Sequence, residues 1–462
     1  MALDTISGRQ SSPHLERRVG LASAVSLNML NMIGVGPFIT LPLVVAAMGG
    51  SQALLGWLLG AFIAVCDGLV WAELGAAMPE AGGSYAFLRE IYGRNGAGRY
   101  VSFLYIWQLG FSAPLSIASG CIGFAEYAAY VFPGLQGKWM GIHDSSFLAA
   151  GACIFIVVLL WRDVRTVARM AGVLFAGVMA AMAMVIFAGF THFHAHLLRM
   201  PAHALSPSPA FFVGLGAATL IATYDYGGYY NVCFLGGEVR DPSRTIPRSI
   251  LISIAAVAAL YIAMNIGVLG VIPAHELTRT AVAEMIHRTL GSVAARVMAG
   301  LIMWAALGSV FALLLGYSRV PYAAALDGNY FRVFSHLHPR REFPDFSLLA
   351  IGIVATACCF LSLTEAIAAL VVIRTLLQYV LQQVGVIILR IRRPQMPRPF
   401  RIWLYPLPPL LALAGFLFIL ISRPDAGREF LSAVLVAVVG TILYMVRARL
   451  RGEWPFAPRA GA

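Results

Sequence analysis

Charge is what this 462-residue chain has least of: Asp, Glu, Lys and Arg make up 12% of it, against 60% hydrophobic residues. With a mean hydropathy of +0.79, a soluble fold is excluded, because no globular core of this length hides so much apolar surface. Lysine is almost missing; the one present is Lys138, in a loop. Cysteine is sparse, and Cys66, Cys121, Cys153, Cys233, Cys358 and Cys359 all fall in hydrophobic segments. They read as packing residues, since disulfide and metal frameworks need spaced, accessible pairs. His192, His194 and His196 share a loop without a cysteine or carboxylate beside them, so they read as solvated rather than as metal ligands. Also missing are an HExxH, a glycine-rich phosphate loop and a histidine–nucleophile pair on neighbouring helices. The chain is therefore not expected to be an enzyme, and no cofactor or metal is expected.

What is present is a succession of apolar runs, each long enough for a hydrocarbon slab of ~30 Å. They lie near 19–47, 53–77, 99–132, 147–161, 170–190, 210–235, 248–272, 293–317, 347–363, 366–389, 403–421 and 430–447. The fold class expected is an all-α membrane protein of about twelve transmembrane helices. One integral domain spans 19–447 between short tails at 1–18 and 448–462. The first tail ends in Arg17-Arg18 without a small-residue cleavage site, so it reads as retained rather than as a signal peptide. The net charge of +12 does not point to nucleic acid, because its arginines alternate between loops. Of the 33 basic residues, 25 fall on the set of loops that includes both termini, from Arg9 to Arg459. Seven fall on the other set (Lys138, Arg199, Arg279, Arg288, Arg296, Arg423 and Arg428), and Arg374 lies within a helix. The positive-inside rule then places both termini in the cytoplasm, in a cell inner membrane, with an even helix count.

Two runs are interrupted. The first contains Ile33-Gly34-Val35-Gly36-Pro37 and the sixth Tyr224-Asp225-Tyr226-Gly227-Gly228. Glycine lowers helix stability by roughly 1 kcal/mol and proline by ~3. Proline is tolerated at the first position of a new helix, so Pro37 is expected to open a second half-helix. From Gly20 to Gly34 is ~21 Å at helical rise, and from Ala210 to Asp225 ~22 Å from the opposite face, so both breaks reach the midplane. Unpaired backbone at that depth is tolerated only where it lines a cavity. Broken helices in corresponding positions of inverted repeats mark a transporter's substrate site.

Four segments carry a family resemblance: NMIGVGPFITLP from Asn31, AELGAAMPEAGGSYAFL from Ala72, GGEVRDPSRTIPRSI from Gly236 and LRIRRPQMPRPFRIWLYP from Leu389. In this order and spacing the chain resembles the amino acid–polyamine–organocation permeases, closest in pattern to the L-type amino acid transporter branch. Gly36-Pro37-Phe38 also resembles the polyamine-uptake branch. The resemblance implies a leucine-transporter-like fold of 5+5 inverted repeats with two peripheral helices, moving L-amino acids by alternating access. A permease for polyamines or other organic amines is the runner-up. It further implies that a substrate carboxylate meets the amides of Val35 and Gly36, and an ammonium the carbonyls of Met32 or Ile33, Tyr224 and Gly227. Tyr226, Tyr229 and Tyr230 would supply aromatic walls.

Three departures from the family pattern matter. Gly34-Val35-Gly36 lacks the usual serine hydroxyl, Pro37 lacks an N–H, and Asp225 stands where a small residue is common. A carboxylate at mid-membrane costs ~2.5–3.5 kcal/mol on insertion scales, so it needs a partner. Two remain open: a substrate ammonium, or Arg374, whose face continues through Gln378 and Gln382. Asp67 is a further candidate partner for Arg374, and Glu73 a candidate for the cytoplasmic gate. Glu238, with the arginines that follow it, is expected in that gate. For coupling, Phe175–Met182 carries no lysine and Ser309 is a lone hydroxyl in the eighth run. Exchange or uniport is therefore expected, with a proton on Asp225 as the alternative. The partners expected are a small-molecule substrate and the lipid bilayer.

Overall fold

The computed structural model describes residues 15, 17–139, 142–162, 164–200, 202–361, 371–423 and 426–456. Arg9, Arg459, most of the expected tails and the start of the expected tenth run at 366–370 lie outside the described residues. The chain is helical almost throughout. In order the helices are α1 (Leu21–Met32), α2 (Gly36–Met48), α3 (Leu54–Ala77), α4 (Ser84–Ile91), α5 (Ala97–Val131) and α6 (Asp144–Leu160). There follow α7 (Val164–Thr191), α8 (Pro209–Tyr226), α9 (Asn231–Phe234), α10 (Pro242–Leu269), α11 (Ala281–Leu290) and α12 (Ser292–Tyr317). The last are α13 (Arg319–Leu326), α14 (Asp345–Cys358), α15 (Val371–Arg392), α16 (Leu407–Ile421) and α17 (Ala426–Arg451). A two-stranded antiparallel hairpin, Lys138–Trp139 with Ile142–His143, sits in one loop.

Among the described residues, seven helices are long and apolar enough to cross a membrane, eight when the bent pair α1/α2 counts as one span. Three more, α6, α14 and α16, are apolar but only 17, 14 and 15 residues long. This is an all-α membrane protein.

Sequence explains the first break directly. Residues 33–35 leave the helix, and α2 restarts at Gly36 with Pro37 in its first turn, where a missing N–H costs no intrahelical bond. The two pieces meet at a 45° bend. The second break lies slightly later than expected. Helix α8 keeps Tyr224, Asp225 and Tyr226, and the turn occupies Gly227 to Tyr230. Gly228 sets this position: its φ of +127° is open only to glycine, and a Cβ there would press on the Asn31–Met32 backbone.

Around the breaks, α3 packs along α10 and along α8, and α5 packs along α12. Small residues let α3 approach α8, since a Cβ on Gly56 would fall 2.6 Å from Ala218 Cβ and one on Gly60 2.9 Å from Ala222 Cβ. All six cysteines are buried and free.

Candidate substrate cavity

A cavity of about 270 Å³ opens at the two breaks. The first helix gives Asn31, Met32, Gly34, Val35 and Gly36, then Ile39 and Thr40 from α2. The opposing break gives Leu220, Thr223, Tyr224 and Asp225 from α8, then Gly227 and Tyr230. Helix α5 contributes Ser112, Ser116, Ser119 and Gly120, and α12 Ser309, Leu313 and Tyr317. Val371, Arg374, Thr375 and Tyr379 of α15, with Phe416 and Ile419 of α16, close the wall. Ser309 is expected from sequence, but the three α5 hydroxyls are not. Ser112, Ser116 and Ser119, spaced i, i+4 and i+7 on an otherwise apolar helix, were the available signal.

Asp225 and Arg374 share this cavity but are not bonded to each other. Thr40 Oγ1 donates to Asp225 Oδ2 at 2.5 Å. Arg374 donates to the Tyr230 hydroxyl at 2.6 Å and to Gln378 Oε1 at 3.1 Å. Tyr261 donates to the carbonyl of Met32 at 2.6 Å and of Asp225 at 3.3 Å, tying one break to the other. The Gly227 amide donates to the Tyr224 carbonyl at 3.0 Å. Each of these carbonyls keeps a second lone pair for a ligand. Ser309 sits behind Gly34, where a Cβ would lie 2.8 Å from its Oγ.

Several expected site residues lie elsewhere. Ile33 is fully buried outside the lining. Because α8 continues through Tyr226, that side chain is turned about 100° from Asp225. It packs instead on Trp57 and Tyr261, at ring-centroid distances of 6.0 and 5.2 Å. Tyr229 also leaves the wall: its hydroxyl donates to Asp67, which accepts a second bond from Gln383. Asp67 is therefore satisfied by neutral donors and does not pair with Arg374. Gln378 supports Arg374 from behind and does not line the cavity. A π-helical turn at Thr375–Val380 inserts a residue into the expected i, i+4, i+8 stripe, so the glutamine that reaches a partner is Gln383 rather than Gln382.

On the side that carries the termini, Glu238 pairs with Arg319 at 2.8 Å, both almost fully buried. Its partner is thus supplied by α13, not by the arginines that follow it in sequence. Arg319 also donates to the Leu315 carbonyl and to Ser318. Glu73 is held there by Arg390 and Arg398 and accepts the Ile402 amide at 2.8 Å.

A mainly apolar cavity at the breaks of two helices in an all-α membrane protein, carrying one acid, one guanidinium and several hydroxyls, is the kind of site a solute transporter has. The chain belongs to the amino acid permease family, whose model matches residues 19–444. It is 27% identical over 439 residues to the serine/threonine exchanger SteT of Bacillus subtilis (strain 168), covering 93% of this chain and 96% of that protein. To the large neutral amino acids transporter small subunit 2 of Homo sapiens it is 30% identical over 441 residues, with 92% and 79% coverage. The b(0,+)-type amino acid transporter 1 of Homo sapiens is 26% identical over 464 residues, with 95% and 90% coverage. The protein is an amino acid permease rather than an enzyme.

Proposed function

We propose that this permease carries L-amino acids across the cell inner membrane by alternating access, with both termini in the cytoplasm. Its architecture is read as twelve spans. Helices α1/α2, α3, α5, α6 and α7 form one repeat, α8/α9, α10, α12, α14 and α15 an inverted second, and α16 and α17 are peripheral. The packing of α3 on α10 and of α5 on α12, second on second and third on third members of the repeats, supports this. The observation that carries the functional reading is the cavity at the two breaks, lined by Asp225 and by carbonyl-bearing backbone on both sides. Its size suits a small organic solute. The substrate ammonium rests on Asp225 and the free lone pairs of the Met32 and Tyr224 carbonyls. Ile39 and Thr40 of α2 and Leu220 and Thr223 of α8 extend the lining past the breaks on the side away from the termini, and on them this conformation is read as outward-facing.

The coupling reading is exchange or uniport. No lysine approaches the first break, and Ser309 is the one α12 serine or threonine among the described lining residues.

Uptake into proteoliposomes tests this, with a panel of labelled L-amino acids set against putrescine and spermidine. Amino acid uptake stimulated by internal amino acid and indifferent to sodium is expected. Polyamine uptake without amino acid uptake would replace this reading with the organic-amine one. Asp225→Asn should weaken ammonium binding by about 2–5 kcal/mol, since it leaves a desolvated cation without its partner. Affinity equal to wild type would remove Asp225 from the site.

A further inference from the structure

Among the described residues, two side chains of fixed charge type line the cavity, the Asp225 carboxyl and the Arg374 guanidinium. Their surroundings differ in kind. Asp225 lies at the amino end of α2, a 13-residue helix, with one carboxyl oxygen bonded by Thr40 and the other against Gly36. First-turn amides and the helix dipole make such an end attractive to an anion. Here the protein's own carboxyl already occupies it, and Pro37 has removed one of the amides. A second carboxylate arriving with a substrate would meet a like charge there.

Arg374 has no such compensation. It donates to neutral oxygens, those of Tyr230 and Gln378, and no carboxylate pairs with it among the described residues. The Tyr317 and Tyr230 rings stand 5.7 and 6.0 Å from its carbon, which steadies the cation without neutralising it. A guanidinium offers five donors, more than these neighbours take up, so donors remain for a ligand. The π-helical turn at Thr375–Val380 begins directly after it, a local departure from α-helix of the kind found at functional sites. A cation buried in a membrane protein is costly unless it is paired, and the space beside this one is the cavity itself.

We propose that Arg374 is the carboxylate-binding residue of the transport site. The substrate lies with its ammonium toward Asp225 and its carboxylate on Arg374, and the guanidinium selects carboxylate-bearing amines while rejecting di- and polyamines. This rests on the amino acid reading and goes beyond it, in assigning the anion to the tenth span rather than to the first break.

The test compares matched ligands on the full-length protein in detergent or proteoliposomes: L-leucine with L-leucinamide, L-serine with L-serinamide, and putrescine. For wild type, the preferred acid should bind ~10–100-fold more tightly than its carboxamide, as a hydrogen bond to a charged group provides. In Arg374→Gln that preference should collapse through loss of acid binding, with carboxamide affinity unchanged. Arg374→Lys should retain part of it, having the charge without the planar fork. Equal wild-type affinity for acid and carboxamide overturns the proposal, and this arm needs no variant to fold. So does an Arg374→Gln protein that loses acid and carboxamide binding by the same factor, because the role would then be structural. Binding of putrescine without either amino acid would instead defeat the amino acid reading itself.

Discussion

Charge is handled in opposite ways on the two sides of the helix breaks. Toward the termini the deepest charges are paired and out of water: Glu238 and Arg319 are 2% and 3% exposed, and Glu73, 1% exposed, is held by two arginines. Beyond the breaks, Asp225 and Arg374 face a cavity without an ionic partner among the described residues, and the pairs around α11 are exposed. Arg288 bonds Glu276 and Glu284 with every partner about 40% open to solvent, and Arg279 stands 3.9 Å from Glu126. Desolvated pairs are strong locks because breaking one leaves an uncompensated charge, whereas exposed pairs exchange readily with water. Under the proposed alternating-access mechanism, the difference between the two sides would be that of a closed gate and an open one. Alternating access would require Glu238 and Arg319 to separate while the cavity side closes.

Breaking the lock should give the largest effect. Glu238→Gln strands Arg319 among apolar neighbours and should lower stability by about 3–5 kcal/mol. Adding Arg319→Gln should recover part of that, because the buried charge is then gone. Thermal melts of the two single variants and the double variant measure the coupling. Labelling of an engineered cysteine on the terminal side should rise in the single variant. Unchanged melting and labelling would make this pair ordinary surface charge.

A smaller effect is expected where the first break touches the wall. Gly34→Ala would place a methyl 2.8 Å from Ser309 Oγ and 2.9 Å from its Cβ. Overpacking of this kind costs about 1–3 kcal/mol. Transport should fall and Ser309→Gly should restore it, since that change removes both atoms the methyl meets. Loss of transport that Ser309→Gly leaves uncorrected would mean that the break itself, not its contact with α12, limits movement.

Local chemistry made much of this legible in sequence. Gly34-Val35-Gly36-Pro37 announces its own break because two glycines weaken the helix and Pro37, lacking an N–H, suits the first turn of the next one. Asp225 and Arg374 stand out as charges in apolar runs, and both prove to line one cavity. What could not be read was mostly pairing at long range. Glu238 finds Arg319 across 81 positions, and Asp67 finds Tyr229 and Gln383 across 162 and 316. Nothing in periodicity links such residues. The fate of Tyr226 depended on how far α8 continues before its break, because a single residue of helix turns a side chain from the wall to the core. The inserted residue of the π turn likewise moved the glutamine contact by one position.

The exposed pair beyond the breaks should give the smallest effect and one with a definite sign. Hydrogen bonding from Arg288 holds the Glu276 carboxyl below the usual carboxylate range. The folded state therefore binds its proton less readily than the unfolded chain does. Any stability the contact contributes is present above the unfolded-state value and is lost as the pH falls through the folded-state value. Water and salt screen the contact, so the contribution should stay below that of the Gly34→Ala clash. Glu276→Gln should accordingly melt slightly below wild type at neutral pH and low salt. The two curves should converge as the carboxyl takes up its proton, and also in high salt at any pH. Glu238→Gln, whose charges are withdrawn from solvent, should keep its large deficit when salt is raised. A Glu276→Gln deficit that grew on acidification would have the wrong sign for a depressed carboxyl, and one that resisted salt would place the pair among the buried locks rather than against them.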